Sequence, residues 1–232
     1  MAEDFSYIGR NLDGIRAELA AISARTGRPV PFLLPVTKSA SDDEVLALVG
    51  YGISAIAENR VPNYRARREL FEAHGHTVSL HLIGSLQTNK VKYIAEDVAL
   101  IQSLDSLRLA EEIARQAVRV GRKIPVLIEI NSGREPNKGG ILPEELDAFR
   151  VSLSDFPALS VAGLMTMAPA CESEEEYRPY FAAVKDMFDR MQKRGGFDTD
   201  TPTLSMGMSD SYRVAAEEGA TLVRIGRSLF KK

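Results

Sequence analysis

The sequence predicts an α/β fold, a single (β/α)8 barrel preceded by an extra N-terminal helix, and three observations carry that prediction. Eight short apolar runs of the kind buried in parallel strands follow one another along the chain. Segments with helical spacing or helix-start signals separate them. The 232 residues contain no linker, repeat or low-complexity stretch, and barrels of this size occur as one undivided unit. Residues 1–232 therefore read as one domain. A doubly wound open sheet is the alternative; the missing glycine-rich fingerprint in the first β/α unit weighs against it.

The chain opens with a helix over Phe5 to Arg25, where Ile8, Leu12, Ile15, Leu19 and Ile22 make one apolar face. The first strand lies in Pro31-Phe32-Leu33-Leu34-Pro35-Val36-Thr37-Lys38, and Pro35 within it predicts a bulge or local irregularity. Ser41-Asp42-Asp43-Glu44 is a capping box that starts a short helix over Val45 to Val49. Strand two, Ile53 to Ala57, finishes on Glu58-Asn59, and an arginine-rich helix runs from Val61 to His74. Strand three, Val78 to Ile83, stops at Gly84, and a helix over Asn89 to Glu96 leads to strand four, Leu100 to Leu104. After Asp105 the helix from Ser106 to Val120 carries Leu107, Ala110, Ile113, Ala114 and Ala117 on one side.

Strand five, Val126 to Ile130, ends at Asn131 and is followed by a glycine-rich loop to Gly140. Pro143 begins a helix to Ser154. Strand six, Val161 to Met167, is stopped by Pro169, and the helix from Glu174 to Lys193 ends at Gly195-Gly196. Strand seven, Thr203 to Gly207, precedes a helix to Glu218, and strand eight is Leu222 to Gly226.

A barrel does its chemistry just past the C-terminal ends of its strands. Those positions hold Lys38, Glu58-Asn59, His81 and Gly84, Ser103 and Asp105, Asn131, Met165-Thr166, Ser205 to Ser209, and Arg224 to Gly226. A full ring of polar, small or ionisable residues on apolar strands reads as a site. Two stretches, Ser205-Met206-Gly207-Met208-Ser209-Asp210 and Ile225-Gly226-Arg227-Ser228, lead from strands seven and eight into helical segments. Free N–H groups and the helix dipole favour an anion there, and barrels commonly hold phosphate at these two loops. Either stretch alone reads equally as ordinary capping by Ser or Asp; the pair favours phosphate.

A phosphate cradle across the mouth from a strand-end lysine points to pyridoxal 5′-phosphate, with Lys38 as the Schiff-base amine. A solvated surface lysine is the plain alternative. Arg224 points into the mouth from strand eight and needs a partner, either the pyridine nitrogen of the cofactor or an interior carboxylate such as Glu58.

At these residues the chain resembles the pyridoxal phosphate homeostasis proteins, whose fold is like the N-terminal barrel of alanine racemase (the type III fold of enzymes that use this vitamin B6 cofactor). The resemblance runs from Leu33 to Phe230. Its motifs are Val36-Thr37-Lys38, Glu58-Asn59, the run His81 to Lys90, Asn131 with Glu135, Lys138 and Gly140, Gly163 to Thr166, Leu204 to Ser209, and Val223-Arg224-Ile225-Gly226. The resemblance implies Lys38 as the Schiff-base lysine, phosphate held by Ser209, Gly226 and Arg227, Arg224 against the pyridine nitrogen, and Asn59 and Met206 lining the pocket. The chain departs from the family at Ala57 and Arg60-Val61-Pro62, and at Arg227, where a small hydroxyl residue is frequent. That guanidinium either joins the phosphate contacts or points outward.

An arginine is not readily deprotonated, so a ring nitrogen facing it stays an acceptor and the cofactor is a weaker electron sink. The chain ends soon after strand eight, so the second domain that gives alanine racemase its opposed tyrosine base is expected to be missing. Tyr51, Tyr64 and Tyr212 do not sit at strand ends. The expected function is intracellular homeostasis of the cofactor, as carrier and regulator without robust catalysis; the alternative is a weak amino-acid racemase or another enzyme using the same cofactor. Cofactor-accepting apoenzymes are expected partners, with a surface around Lys90, Lys92 and Arg65-Arg67-Arg68 as a docking candidate. Lys90 and Lys138 read alternatively as lying near phosphate or holding a second cofactor molecule.

Composition bounds the rest. A formal net charge of −3 argues against general nucleic-acid binding, and no apolar run has the length of a membrane span. Met1-Ala2-Glu3-Asp4-Phe5 lacks a signal-peptide apolar core. Cys171 is the only cysteine, which excludes an intrachain disulfide or thiolate cluster. His74 and His76 flank Gly75 with no third ligand in view, so no metal is expected, and His81 reads as a hydrogen-bonded interior residue. A cytoplasmic protein is the expectation.

Overall fold

A computed structural model of the chain describes residues 4–232, so Met1, Ala2 and Glu3 of the N-terminal stretch lie outside the described residues. Eight strands are present: β1 Phe32–Pro35, β2 Ala55–Glu58, β3 Ser79–Leu82, β4 Leu100–Leu104, β5 Ile124–Ile130, β6 Leu159–Thr166, β7 Thr203–Ser205 and β8 Leu222–Ile225. Among them run the helices α1 Ser6–Thr26, α2 Asp42–Gly50, α3 Val61–Ala73, α4 Leu107–Arg119, α5 Leu146–Ser152, α6 Arg178–Lys193 and α7 Tyr212–Glu217. All strand pairs are parallel, and the order β1-β8-β7-β6-β5-β4-β3-β2 follows the chain around a ring. A bridge between Val36 and Ala57 joins the two ends of that order. This is the expected barrel rather than an open doubly wound sheet.

The β1–β2 seam is thin, and Pro35 explains it. Phe32 and Val36 donate their N–H groups to Thr221 and Ile225 on the β8 side, whereas Thr37 donates to Ala57 on the β2 side. Alternation along a strand puts the N–H that Pro35 lacks on the β2 edge. The bulge expected at Pro35 does not form: β1 pairs with β8 in unbroken register from Phe32–Leu222 to Pro35–Ile225. An irregularity falls instead on β6, where Val126 faces Val161 and Leu127 faces Gly163, leaving Ala162 as the extra residue.

Two helix expectations need correction. Thr88–Tyr93 is a 3-10 helix, not the α-helix expected over Asn89 to Glu96. Thr88 and Asn89 open it with residue types that disfavour a helix interior. The segment starting at Pro143 begins as a 3-10 turn, Pro143–Glu145, before α5 takes over. The capping box of α2 is present, with the Glu44 N–H donating to the Ser41 hydroxyl at 3.2 Å and the Ser41 N–H to the Glu44 carboxylate at 2.8 Å.

The main apolar core lies between the outward faces of the strands and the helices; Ile8, Leu12 and Leu19 bring α1 into it. Inside the ring the apolar residues fall into two small clusters, one around Leu34, Ala57 and Leu222 and the other Leu100, Leu127 and Met165. Buried polar residues of the inner wall supply the floor of the site described next. No helix among the described residues is long and apolar enough to cross a membrane.

Candidate functional site

A cavity of about 850 Å³ opens at the C-terminal mouth of the barrel. Lys38, Asn59, Gly84, Ser209, Arg224, Gly226 and Arg227 all line it, so five strand-end loci separated in sequence by nearly the whole chain meet at one place. Its remaining wall is largely apolar, with Met167, Tyr177, Met208 and Phe230.

Lys38 stands on the turn after β1. The preceding Thr37 is fully buried, with its N–H on Ala57 O at 3.1 Å and its hydroxyl donating to Glu58 at 2.6 Å. Glu58 is therefore turned away from the mouth, and its other partner is Arg67. Its neighbour Asn59 does reach the cavity. Gly84 passes so close to Asn59 that a Cβ would lie 2.1 Å from the Asn59 carbonyl oxygen, and the Ser103 hydroxyl donates to the Gly84 carbonyl at 2.7 Å. Only glycine fits at that approach.

The loops after β7 and β8 are tied together where the Ser228 N–H donates to the Ser209 hydroxyl at 3.2 Å. Gly226 packs on β1, where a Cβ would lie 3.1 Å from Val36 O. The result is a small concave backbone surface of glycine, hydroxyl and amide groups, the donor set an anion requires. Arg227 pairs with Asp210 at an exposed position, so its side chain points outward along the rim. Met206 does not line the cavity as expected. It is fully buried in the main core, and Met208 is the methionine on the wall.

Arg224 is the floor, at 3% exposure. Its guanidinium donates to the Ser205 hydroxyl at 2.6 Å and to Thr166 O at 2.9 Å. Ser205 donates in turn to Gln102 Oε1 at 2.7 Å, and the Gln102 amide lies 3.2 Å from His81 Nδ1. That order makes Nδ1 an acceptor, so His81 carries its proton on Nε2. Burial pushes the His81 pKa down to about 4, consistent with a neutral ring. His81 is thus the hydrogen-bonded interior residue the sequence suggested. Burial also lowers the Arg224 pKa to about 10, with the carboxylate of Glu129 opposing the shift; the guanidinium remains charged at neutral pH. Glu129, at 6% exposure, has its pKa raised to about 7 by burial first and the Asp105 charge second, while Arg224 pulls it down. The interior carboxylate facing Arg224 is therefore Glu129 rather than Glu58.

Several functional-looking residues escaped the sequence reading. Gln102 and Glu129 are the polar members of otherwise apolar strands, a visible signal. Arg67 sits in the apolar stripe Val61, Tyr64, Arg67 and Phe71 of α3, so it is not part of the charged surface to which it was assigned. Tyr177 reaches the cavity from the segment before α6, whereas Tyr64 and Tyr212 are buried and Tyr212 bonds Glu18. His74 bonds Leu70 O at 2.9 Å, and among the described residues no group of three or more His, Cys, Asp or Glu is placed to hold a metal ion.

Comparison with known proteins adds four findings. The model of the family described as alanine racemase, N-terminal domain, matches residues 11–232. The chain is 39% identical over 215 residues to the pyridoxal phosphate homeostasis protein of Aquifex aeolicus, covering 93% of this chain and 92% of that one. Among solved structures, a protein of unknown function from Bifidobacterium adolescentis superposes with a TM-score of 0.91 at 29% identity, over 99% and 98% of the two chains. PipY of Synechococcus elongatus, solved with pyridoxal phosphate bound, gives 0.80 at 29% identity over 94% and 100%.

Proposed function

Since the chain belongs to the alanine racemase N-terminal domain family, alongside the pyridoxal phosphate homeostasis proteins, we propose that it binds pyridoxal 5′-phosphate at the barrel mouth through a Schiff base on Lys38. The whole chain acts as one cofactor-binding domain, a cytoplasmic carrier and regulator of the cofactor without robust catalysis. Its partners are the cofactor and the apoenzymes that accept it. The observation that carries this reading is the convergence of a strand-end lysine, a buried arginine and an anion cradle on one cavity.

The donor set fits the group. The backbone at Gly226 and Arg227 with the Ser209 hydroxyl would hold phosphate, Arg224 would donate to the pyridine nitrogen, and Asn59 would close one side of the pocket; all five residues line the cavity. When bound, the cofactor supplies an electrophilic aldehyde and an aromatic electron sink. Arg224, fixed by Ser205 and Thr166, presents only donors, so it would leave a ring nitrogen facing it unprotonated and limit that sink. Retention rather than deep carbanion chemistry follows.

One observation favours the enzymatic alternative, a weak racemase or related activity: Tyr177 lines the same cavity, with its hydroxyl accepting from the Cys171 N–H at 3.4 Å. It stands where a proton-transfer group is useful. Absorbance of the purified protein with added cofactor, wild type beside Lys38→Ala, before and after borohydride, tests the main reading. The expected result is a visible band that reduction fixes onto the wild type and that the variant lacks. No band in the wild type overturns it. Amino-acid turnover that disappears in Tyr177→Phe would establish the enzyme instead.

A further inference from the structure

Lys38 lies on a short turn between β1 and α2, and one side chain on a third element grips that turn on both sides of it. Arg67 of α3 is 8% exposed. From Nη2 it donates to the carbonyl oxygens of Thr37 at 3.3 Å and Ala40 at 2.5 Å. From Nε it donates to Glu58 at 3.3 Å, and from Nη1 it pairs with Asp42, the first residue of α2. Glu58 completes the grip by accepting the Thr37 hydroxyl. The backbone before Lys38, the backbone after it and the start of the next helix thus hang on a single guanidinium.

Neither ligand binding nor plain stability accounts for this arrangement. Arg67 does not line the cavity. Its place in an apolar stripe is one where a well-packed hydrophobic residue serves stability as well as a buried ion pair does. The network also leaves Glu58 Oε2 buried with no hydrogen-bond partner, which costs stability. What a planar fork of donors does, and an apolar side chain or a lysine does not, is hold several acceptors in one fixed geometry.

We propose that Arg67 is a positioning residue for Lys38, fixing the turn so that the amine meets the cofactor aldehyde in reactive geometry. This rests on the cofactor assignment above. In the capture step Lys38, as the free amine, forms a C=N bond to the aldehyde carbon; the C=O bond breaks, and its oxygen leaves as water with both amine hydrogens. Arg67 governs the rate of that step by holding the reacting nitrogen in place. Phosphate retention by the loops after β7 and β8 is separate from it, because Arg67 touches neither loop.

The test separates capture from retention. Borohydride quenching at timed intervals, read by intact mass, gives the capture rate; titration with pyridoxamine 5′-phosphate, which has the phosphate and ring but no aldehyde, gives retention. Arg67→Met is expected to slow capture by at least about tenfold while changing pyridoxamine phosphate affinity by less than about twofold. Asp42→Asn, which weakens one exposed arm of the grip, slows capture by a few-fold. If Arg67→Met does not fold, Arg67→Lys and Glu58→Gln keep the volume and carry the same expectation. Equal losses of capture and retention, or an unchanged capture rate in folded variants, overturn the proposal. Absence of trapping in the wild type would overturn the cofactor assignment itself, a distinguishable result.

Discussion

Replacing Glu129 by glutamine should make the protein more stable at neutral and alkaline pH, and the structure sets the size of the effect. Burial and the Asp105 charge raise the Glu129 pKa from 4.5 to about 7, against the pull of Arg224. The folded chain therefore holds this proton more tightly than the unfolded chain. The stability that follows is complete below a pH of about 4.5 and is lost as pH rises through about 7. The gap converts, at about 1.4 kcal/mol for each pH unit, to about 3 kcal/mol. Glutamine has the shape of the protonated acid and does not titrate, so Glu129→Gln removes this slope and no other. Urea unfolding of cofactor-free wild type and variant, repeated from about pH 5 to about pH 9, gives the difference in stability at each pH. Wild type minus variant should fall by about 3 kcal/mol across that window with unchanged m-values. A flat difference would refute the argument from burial. A rising difference would mean that attraction to Arg224 outweighs desolvation.

Three further outcomes follow from geometry already described. Gly84→Ala forces a Cβ against the Asn59 backbone, so it should cost about 1–3 kcal/mol by the urea midpoint and weaken cofactor binding, because Asn59 must move. Gln102→Leu and Ser205→Ala each leave polar neighbours in the barrel interior short of a partner, at about 1–3 kcal/mol apiece, and the double mutant should fall short of their sum because both belong to one line. Ser41→Ala deletes one half of the α2 capping box and should lower stability by about 1 kcal/mol, read as a lower thermal midpoint.

The barrel was legible in the sequence because each strand is a compact apolar run ending on a polar residue, and the site was legible because the fold dictates where strand ends go. Lys38, Asn59, Ser209, Arg224 and Gly226 could be assembled from position alone. Met206 was misplaced by parity: Ser205 faces the barrel interior, so its neighbour must face the helices, and the wall falls to Met208 beyond the end of β7. Arg67 was hidden among Arg65 and Arg68: helical spacing from Val61 and Tyr64 admits Arg68 as readily as Arg67, and only the folded helix shows that 67 is the buried one. Tyr177 had no local signal, since its loop brings it to the mouth only through the packing of α6. The helix expected over Asn89 to Glu96 is a 3-10 segment over Thr88–Tyr93, where β-branched and hydrogen-bonding residues such as Thr88, Asn89 and Val91 are weak α-helix formers.

The proline seam has a mechanical consequence. A strand laced on both edges can leave a closed barrel only by rupturing two ladders, but β1 is laced along β8 and barely tacked to β2. It shares that seam with β2, which is laced along β3 alone, and of the two it is the strand that leads to Lys38. Native-state hydrogen exchange should find the Thr37 amide, whose acceptor is Ala57 across that seam, opening well before the amides of β5, which is paired along both edges. In the proposed function the lysine that captures the aldehyde is thus mounted on a loosely laced stave of the cask, and Arg67 is the pin that would keep it shut.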